Sequence, residues 1–145
     1  MQSEVFNPGD ETNRFIEQAD GAGAAVTFTG LVRSSADNPT KRMTLEHYPA
    51  LAQSQLENMA SEATKRFKLL KVTIIHRFGM MHPNEPIVQV MALSPHRQAA
   101  FDGANFIMDW LKTDAPFWKY EETPDGAKWV EAKAIDDKAK DKWKA

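Results

Sequence analysis

Two lysines flank a proline near the C-terminal end of the sequence, in the segment Lys112-Thr-Asp-Ala-Pro-Phe-Trp-Lys119. Pro116 is predicted to end a helix that contains Lys112 and to lead into a strand that contains Lys119. A turn between them would bring both ammonium groups to one pocket. Neighbouring cations lower each other's proton affinity, which makes a lysine a nucleophile or a general base. The alternative is a pair of solvated surface lysines.

A second candidate site lies at the start of a predicted helix, in the segment Ser94-Pro95-His96-Arg97. Ser94 fits the N-cap of this helix and Pro95 fits its first position. His96 and Arg97 then project from a helix start whose free N–H groups favour a phosphate or a carboxylate. Taken alone, the same residues also fit an ordinary capped helix with a solvated arginine.

The sequence lacks the motifs of several common kinds of site. It contains no GxGxxG, GxxxxGK[ST], HExxH or GxSxG pattern, which argues against the standard dinucleotide, nucleotide, zinc-protease and hydrolase sites. It has no cysteine, which excludes disulfides, thiolate nucleophiles and cysteine-ligated metals on this chain. The four histidines, at positions 47, 76, 82 and 96, lack metal-ligand spacing, so we expect neither a metal nor a cofactor.

Charge and hydropathy limit the classes of partner. The net charge is −2, which argues against binding to nucleic acid through phosphate neutralisation. No stretch reaches the roughly 18 consecutive apolar residues of a membrane span, and the N-terminus does not resemble a signal peptide. We therefore expect a cytoplasmic protein with neither a nucleic-acid nor a membrane partner.

The candidate residues must be positioned by alternating helices and strands. Hydrophobic periodicity and end signals predict helices at 11–18, 49–67 and 94–112, and strands at 22–33, 43–48, 70–78 and 87–93. Segments 117–122 and 127–132 are predicted to form a hairpin, 79–86 a turn region, and 135–143 a charged helix or a frayed tail. On strand 117–122, Lys119 shares a face with Phe117 and Glu121, while Trp118 and Tyr120 take the other.

Several further residues are expected to serve packing rather than chemistry. They are His76, Arg77, Met80, Met81, Trp110, Trp129 and Trp143. Arg33, which ends the first predicted strand at the mouth of the polar loop 34–42, is a weak candidate by itself.

Six segments together resemble a known family. They are AAVTFTGLVR, MTLEHYP, VTIIHRFG, SPHRQAAF, FIMDWLKTDAPFWKYE and Trp129-Val130-Glu131-Ala132. In this order and spacing they closely resemble the large catalytic subunits of molybdopterin synthase, the MoaE family, over about residues 22 to 133. With the predicted elements, this implies an α+β fold similar to the α/β-hammerhead, with a mixed sheet, two long helices and a C-terminal hairpin. We expect a single domain over 1–145, with a charged tail at 134–145.

The resemblance implies a sulfurtransferase of molybdenum cofactor biosynthesis. Such an enzyme converts cyclic pyranopterin monophosphate into molybdopterin, and its dithiolene sulfurs arrive as the C-terminal thiocarboxylate of a small ubiquitin-like subunit. The resemblance implies that Lys112 and Lys119 are catalytic. It also implies a set of substrate-binding residues: Leu31, Val32, Arg33, His96, Arg97, Lys112, Lys119, Tyr120, Glu121 and Lys133.

The two candidate sites stand at opposite ends of one predicted helix. A straight helix from Pro95 to Lys112 would be about 25 Å long, which is too far for one small substrate to bridge comfortably. Either the helix ends early or bends, or each pocket combines residues of two protomers. We prefer the second interpretation, a homodimer with composite sites within a heterotetramer. The alternatives to an enzyme are an anion-binding regulatory module and an assembly protein.

Overall fold

The computed structural model describes residues 1–17, 19–130 and 134–144, which form four helices and seven strands. The helices are α1 Pro8–Glu17, α2 Pro49–Phe67, α3 Arg97–Thr113 and α4 Ala134–Asp141. The strands are β1 Ala24–Leu31, β2 Arg42–His47, β3 Lys71–His76, β4 Gly79–Met81, β5 Pro86–Ser94, β6 Phe117–Thr123 and β7 Gly126–Val130. This arrangement confirms the predicted α+β class. Among the described helices, none is long and apolar enough to cross a membrane.

The strands form two separate sheets, with the orders β1-β5-β3 and β4-β2-β6-β7. Every described strand pair in them is antiparallel, so the prediction of one mixed sheet is wrong. The reason is the path of the two long helices. α2 leads from β2 in one sheet to β3 in the other, and α3 leads from β5 back to β6. Neither helix returns the chain beside the strand that it left, which a parallel pair would require.

The core lies on both faces of β5, the central strand of the three-stranded sheet. Val88, Val90 and Ala92 pack with the buried residues of α3, such as Ile107. The alternate positions Met91 and Leu93 pack with Phe15 of α1 on the opposite face. Because both faces are covered, β5 is buried from Ile87 to Ser94. Its sequence is therefore apolar except for Gln89 and the terminal Ser94, and the buried Gln89 amide donates to the carbonyl oxygen of Pro8 at 3.0 Å.

The helix α2 follows its predicted pattern closely. It begins at Pro49, which occupies the first helical turn, and ends at Phe67. Ala52, Leu56 and Ala63, which contribute to the hydrophobic periodicity of this segment, are buried. After the helix, Lys68 adopts a left-handed conformation and donates its backbone N–H to the carbonyl oxygen of Thr64.

One segment differs from its prediction, and another is decided between its two predicted alternatives. The predicted turn region 79–86 contains β4, which pairs with β2 and places Met81 opposite Met43 in the core. The C-terminal segment is a docked helix, not a frayed tail. The ring of Trp143 lies 5.6 Å from the rings of Phe67 and Phe106, and its indole N–H donates to Asp109 at 2.5 Å.

Candidate active site

A tight turn between α3 and β6 positions the two candidate lysines. α3 ends at Thr113, and the backbone N–H of Asp114 donates to the carbonyl oxygen of Trp110 at 2.9 Å. Pro116 cannot continue the helix, and β6 begins at the next residue. Lys112 and Lys119 consequently line one cavity, as the predicted turn between them requires.

This cavity has a volume of about 290 Å³ and lies between α3, β6 and the end of β1. Its lining consists of Phe28, Gly30, Leu31, Val32, Arg33, Met43, His76, Ile87, Val88, Met108, Leu111, Lys112, Thr113, Ala115, Phe117, Lys119, Glu121 and Val130. Six of the predicted site residues are among these: Leu31, Val32, Arg33, Lys112, Lys119 and Glu121.

The end of β1 forms one wall of the cavity. Its pairing with β5 shifts register between Gly30 and Leu31, and a Cβ on Gly30 would lie 2.6 Å from Cγ1 of Val88. Beyond the strand, the backbone N–H of Val32 donates to the carbonyl oxygen of Glu85 at 2.9 Å. The chain is thereby held against the turn before β5. Arg33 follows at the rim, where its side chain is exposed.

The charges of the lining favour an anionic ligand. Arg33, Lys112 and Lys119 provide three cationic groups, and Glu121 provides one carboxylate. Arg33 and Lys112 are exposed, whereas Lys119 is partly buried in the wall. A concave surface with an excess of one charge concentrates counter-ions of the other sign. Phosphate and carboxylate groups are the anions that arginine and lysine bind in proteins.

His76 belongs to the same cavity, although the sequence predicted only a packing role for it. The residue is 5% exposed, and its ring centroid lies 4.5 Å from that of Phe117. Burial lowers the pKa of His76 to about 4, and the positive charges of Lys119, the N-terminal ammonium group and Lys112 add to the effect. The imidazole is therefore neutral at physiological pH.

No local pattern in the sequence marks His76 as a cavity residue. It comes to the cavity because β3 pairs with β5, which sets His76 opposite Val88, and because Phe117 packs against its ring. Both contacts join segments far apart in the sequence. The useful signal would have been a titratable residue at the end of an apolar strand, the segment VTIIH.

Tyr120 is not brought to the cavity. It lies on the opposite face of β6 from Lys119, as strand alternation predicts, and its ring centroid is 5.1 Å from that of Trp129. Trp118 shares this outer face and contacts Tyr48, with ring centroids 4.9 Å apart. The predicted site residue Lys133 lies outside the described residues.

His96 and Arg97 are exposed at the opposite end of α3 from Lys112. The predicted N-cap at Ser94 is wrong, because the N-cap is His96 and the helix begins at Arg97. Ser94 is the last residue of β5, and its carbonyl oxygen accepts the N–H of Gly23, which keeps it in the strand. Its buried hydroxyl accepts the N–H of His96 at 3.2 Å, so it fixes the turn before the helix instead.

α3 is one helix from Arg97 to Thr113 and does not end early. At the rise of an α-helix, about 22 Å separate the residues at Arg97 and Lys112 along the axis. One chain therefore presents two separate cationic groups of residues. In the described ranges, no group of three or more His, Asp or Glu residues could hold a metal ion.

Both the sequence and the structure of this chain are similar to those of known proteins. Residues 1–114 match the family model described as MoaE protein. The chain is 47% identical over 144 residues to the molybdopterin synthase catalytic subunit of Pseudomonas aeruginosa. The aligned region covers 99% of this chain and 96% of that one. The structure of the molybdopterin biosynthesis MoaE protein from Burkholderia ambifaria superposes with a TM-score of 0.82 at 40% identity, covering 99% and 95% of the two chains.

A more distant structure shares the fold alone. It is the complex of subunits 1 and 2 of molybdopterin-converting factor from Helicobacter pylori, with a TM-score of 0.74 and 20% identity. The match covers 92% of this chain and 89% of that chain. The fold described above is therefore found in a chain that forms a two-subunit complex.

Proposed function

The chain belongs to the MoaE protein family, and on that premise we propose that it is the catalytic subunit of a molybdopterin synthase. It converts cyclic pyranopterin monophosphate into molybdopterin by inserting two sulfur atoms as a dithiolene. The observation that supports this function most directly is the cavity in which Lys112 and Lys119 meet.

The sulfur comes from a second protein, because this chain has no cysteine that could carry it. A small ubiquitin-like subunit supplies a C-terminal thiocarboxylate, and the complex of subunits 1 and 2 from Helicobacter pylori supports a second subunit as partner. A thiocarboxylate is an anion, so the cationic lining of the cavity attracts the end of the tail. The apolar residues of the lining, such as Leu31 and Val130, accommodate its chain.

The two lysines act on the acyl group of the tail. The thiocarboxylate sulfur attacks a side-chain carbon of the substrate and displaces an oxygen substituent from it. The carbon–oxygen bond breaks as the carbon–sulfur bond forms, the displaced oxygen keeps the electron pair and takes up a proton, and the tail is joined to the substrate as a thioester. Water then attacks the acyl carbon, the acyl carbon–sulfur bond breaks, and the tail leaves as a carboxylate while the sulfur remains on the pterin side chain. Lys112 and Lys119 orient the thiocarboxylate and stabilise the negative charge on the acyl oxygen during this attack.

The substrate phosphate is bound by residues of two protomers. His96 and Arg97 lie on the far end of α3 and cannot reach the cavity of their own chain, which supports a homodimer with composite sites. In such a dimer, Arg33, Lys112 and Lys119 of one protomer face His96 and Arg97 of the other. With one small subunit for each cavity, the assembly is a heterotetramer.

Reconstitution tests the catalytic role. The purified chain is incubated with cyclic pyranopterin monophosphate and a thiocarboxylated partner, and the dithiolene product is measured by mass spectrometry. We expect Lys112→Ala and Lys119→Ala each to lower the rate by roughly a hundredfold or more, the effect of losing one oxyanion-stabilising donor. Lys65→Ala, an exposed lysine on α2, is the matched control and leaves the rate unchanged. Near-normal product formation by both cavity variants would reject the assignment.

Charge-conserving variants separate catalysis from passive anion binding. A module that only binds an anion has no reason to prefer lysine to arginine at positions 112 and 119. We expect Lys112→Arg and Lys119→Arg to bind the substrate and to lose turnover, because the longer planar group displaces the charge from the acyl oxygen. Full activity in both arginine variants would favour the binding module.

Complementation tests the composite site. A mixed dimer of a Lys119→Ala chain and a His96→Ala chain contains one intact site and one doubly defective site if the sites combine two protomers. Mixing the two inactive variants should therefore restore part of the activity. If verified mixed dimers stay inactive, each site is built from a single chain and the dimer proposal fails.

A further inference from the structure

His76 is the uncharged nitrogen acceptor in a cavity whose described charged side chains are three cations and one carboxylate. The other described side chains with acceptor oxygens in the lining are Glu121 and Thr113. Arginine and lysine side chains can only donate hydrogen bonds. An acceptor beside them can fix the direction of a donor without neutralising its charge.

The hydrogen bond of His76 determines which tautomer is present. Nδ1 lies 2.9 Å from the carbonyl oxygen of Arg77, and a carbonyl oxygen can only accept. Nδ1 therefore carries the proton, and Nε2 is the unprotonated acceptor of the neutral ring. His76 lines the cavity, and because Nδ1 is engaged by the Arg77 carbonyl oxygen, Nε2 is the ring nitrogen that remains to accept a hydrogen bond.

Packing brings this acceptor next to the strand that contains Lys119. The ring of His76 contacts Phe117, and Lys119 is two residues further along the same face of β6. Lys119 is also the side chain whose charge acts most strongly on His76, ahead of the N-terminal ammonium group and Lys112 on α3. These three cations reach His76 from three different segments of the fold.

We propose that His76 is a positioning residue for Lys119, whose ammonium group donates a hydrogen bond to Nε2 of the neutral imidazole during the reaction. A fixed acceptor restricts the orientation of an ammonium group at the end of a four-carbon chain, and this one favours the direction toward the acyl group. The ammonium group has three N–H donors, so this bond leaves others for the thiocarboxylate. The inference rests on the function proposed above.

A substitution at position 76 separates positioning from structural support. In His76→Asn the amide N–H replaces the donor to the Arg77 carbonyl oxygen, but nothing replaces Nε2. We expect kcat to fall roughly ten- to a hundredfold, as for loss of a hydrogen bond to a charged group, with the KM for the pterin substrate nearly unchanged. A folded variant with unchanged kcat would overturn the proposal, and so would a raised KM with unchanged kcat.

A measurement without substrate keeps this inference distinct from the proposed function. Nitrogen-15 NMR of the histidine rings in the full-length chain reports both the tautomer and the titration of His76. We expect the Nδ1–H tautomer, and we expect Lys119→Ala to raise the pKa of His76 from about 4 because it removes a nearby positive charge. Lys65→Ala should leave the titration unchanged. A pKa of His76 that does not respond to Lys119→Ala would overturn the proposal even if the chain is fully active.

Discussion

Acidification is expected to destabilise the protein through the buried ring of His76. The folded state binds a proton at this ring only near pH 4, whereas an unfolded chain binds it near the ordinary value of 6.5. Between these values the unfolded state holds more protons, so the free energy of unfolding falls as the pH falls. The contribution is fully present above pH 6.5 and is lost by pH 4. It amounts to about 3 kcal/mol, at about 1.4 kcal/mol for each pH unit.

Urea unfolding followed by tryptophan fluorescence measures this loss. With a slope of about 2 kcal/mol/M, the urea midpoint should fall by about 1.5 M between pH 6.5 and pH 4 on account of His76. Carboxylates such as Glu85, whose pKa is lowered by the backbone N–H of His82 and by Arg77, add a further loss at the acid end. That loss is common to wild type and variants and cancels in their difference.

Two variants isolate the contribution of His76. His76→Asn keeps the donor to the Arg77 carbonyl oxygen and has no titrating ring. Between pH 6.5 and pH 4, its urea midpoint should therefore fall by about 1.5 M less than that of the wild type. His96→Asn changes an exposed histidine at the start of α3 and should keep the pH dependence of the wild type. Parallel pH dependence in the wild type and His76→Asn would refute the reasoning, because it would mean that the ring titrates alike in both states.

Three further perturbations test other parts of the structure. Gly23→Ala should lower the free energy of unfolding in urea by about 1–3 kcal/mol, because its Cβ would overlap the carbonyl oxygen of Pro95 before α3. An unchanged free energy of unfolding would contradict this close approach. Trp143→Ala should lower the free energy of unfolding by about 2 kcal/mol, because the contacts with Phe67 and Phe106 are lost. An effect as small as that of Lys144→Ala, at an exposed residue, would contradict the docking of the C-terminal segment. Treatment of this chain with a thiol-alkylating reagent should leave product formation intact, since it has no cysteine; a loss confined to the treated chain would oppose an external sulfur source.

Local signals in the sequence were sufficient for most elements and insufficient for their pairing. Pro49 and the apolar stripe with Ala52 and Leu56 predict α2, and the turn before Gly126 predicts the β6–β7 hairpin. The division into two sheets depends on where α2 and α3 lead the chain, which hydrophobic periodicity does not encode. The short strand β4 was missed because its three residues are too few to show alternation.

The same division applies to the candidate site. Lys112 and Lys119 could be predicted together because a single turn joins their elements, so that their proximity is a local property. The position of His76 in the cavity depends on contacts with Val88 and Phe117, which are distant in the sequence. The error at Ser94 has a similar cause: its pairing with Ala24 extends β5 to the residue where helix signals begin.

The composition of the chain and the electrostatics of the cavity support one division of labour. A chain without cysteine cannot hold sulfur as a persulfide, so its contribution to sulfur transfer is to bind and orient anions. In the proposed function, Arg33, Lys112 and Lys119, which line one cavity, supply the charge for that task. A protonated His76 would bind the same anions more tightly, but it would repel Lys119 and would have no acceptor to direct it. Its burial keeps the ring neutral, which weakens the binding of anions but leaves an acceptor that can orient the Lys119 ammonium group. An attack on an acyl carbon depends on such orientation.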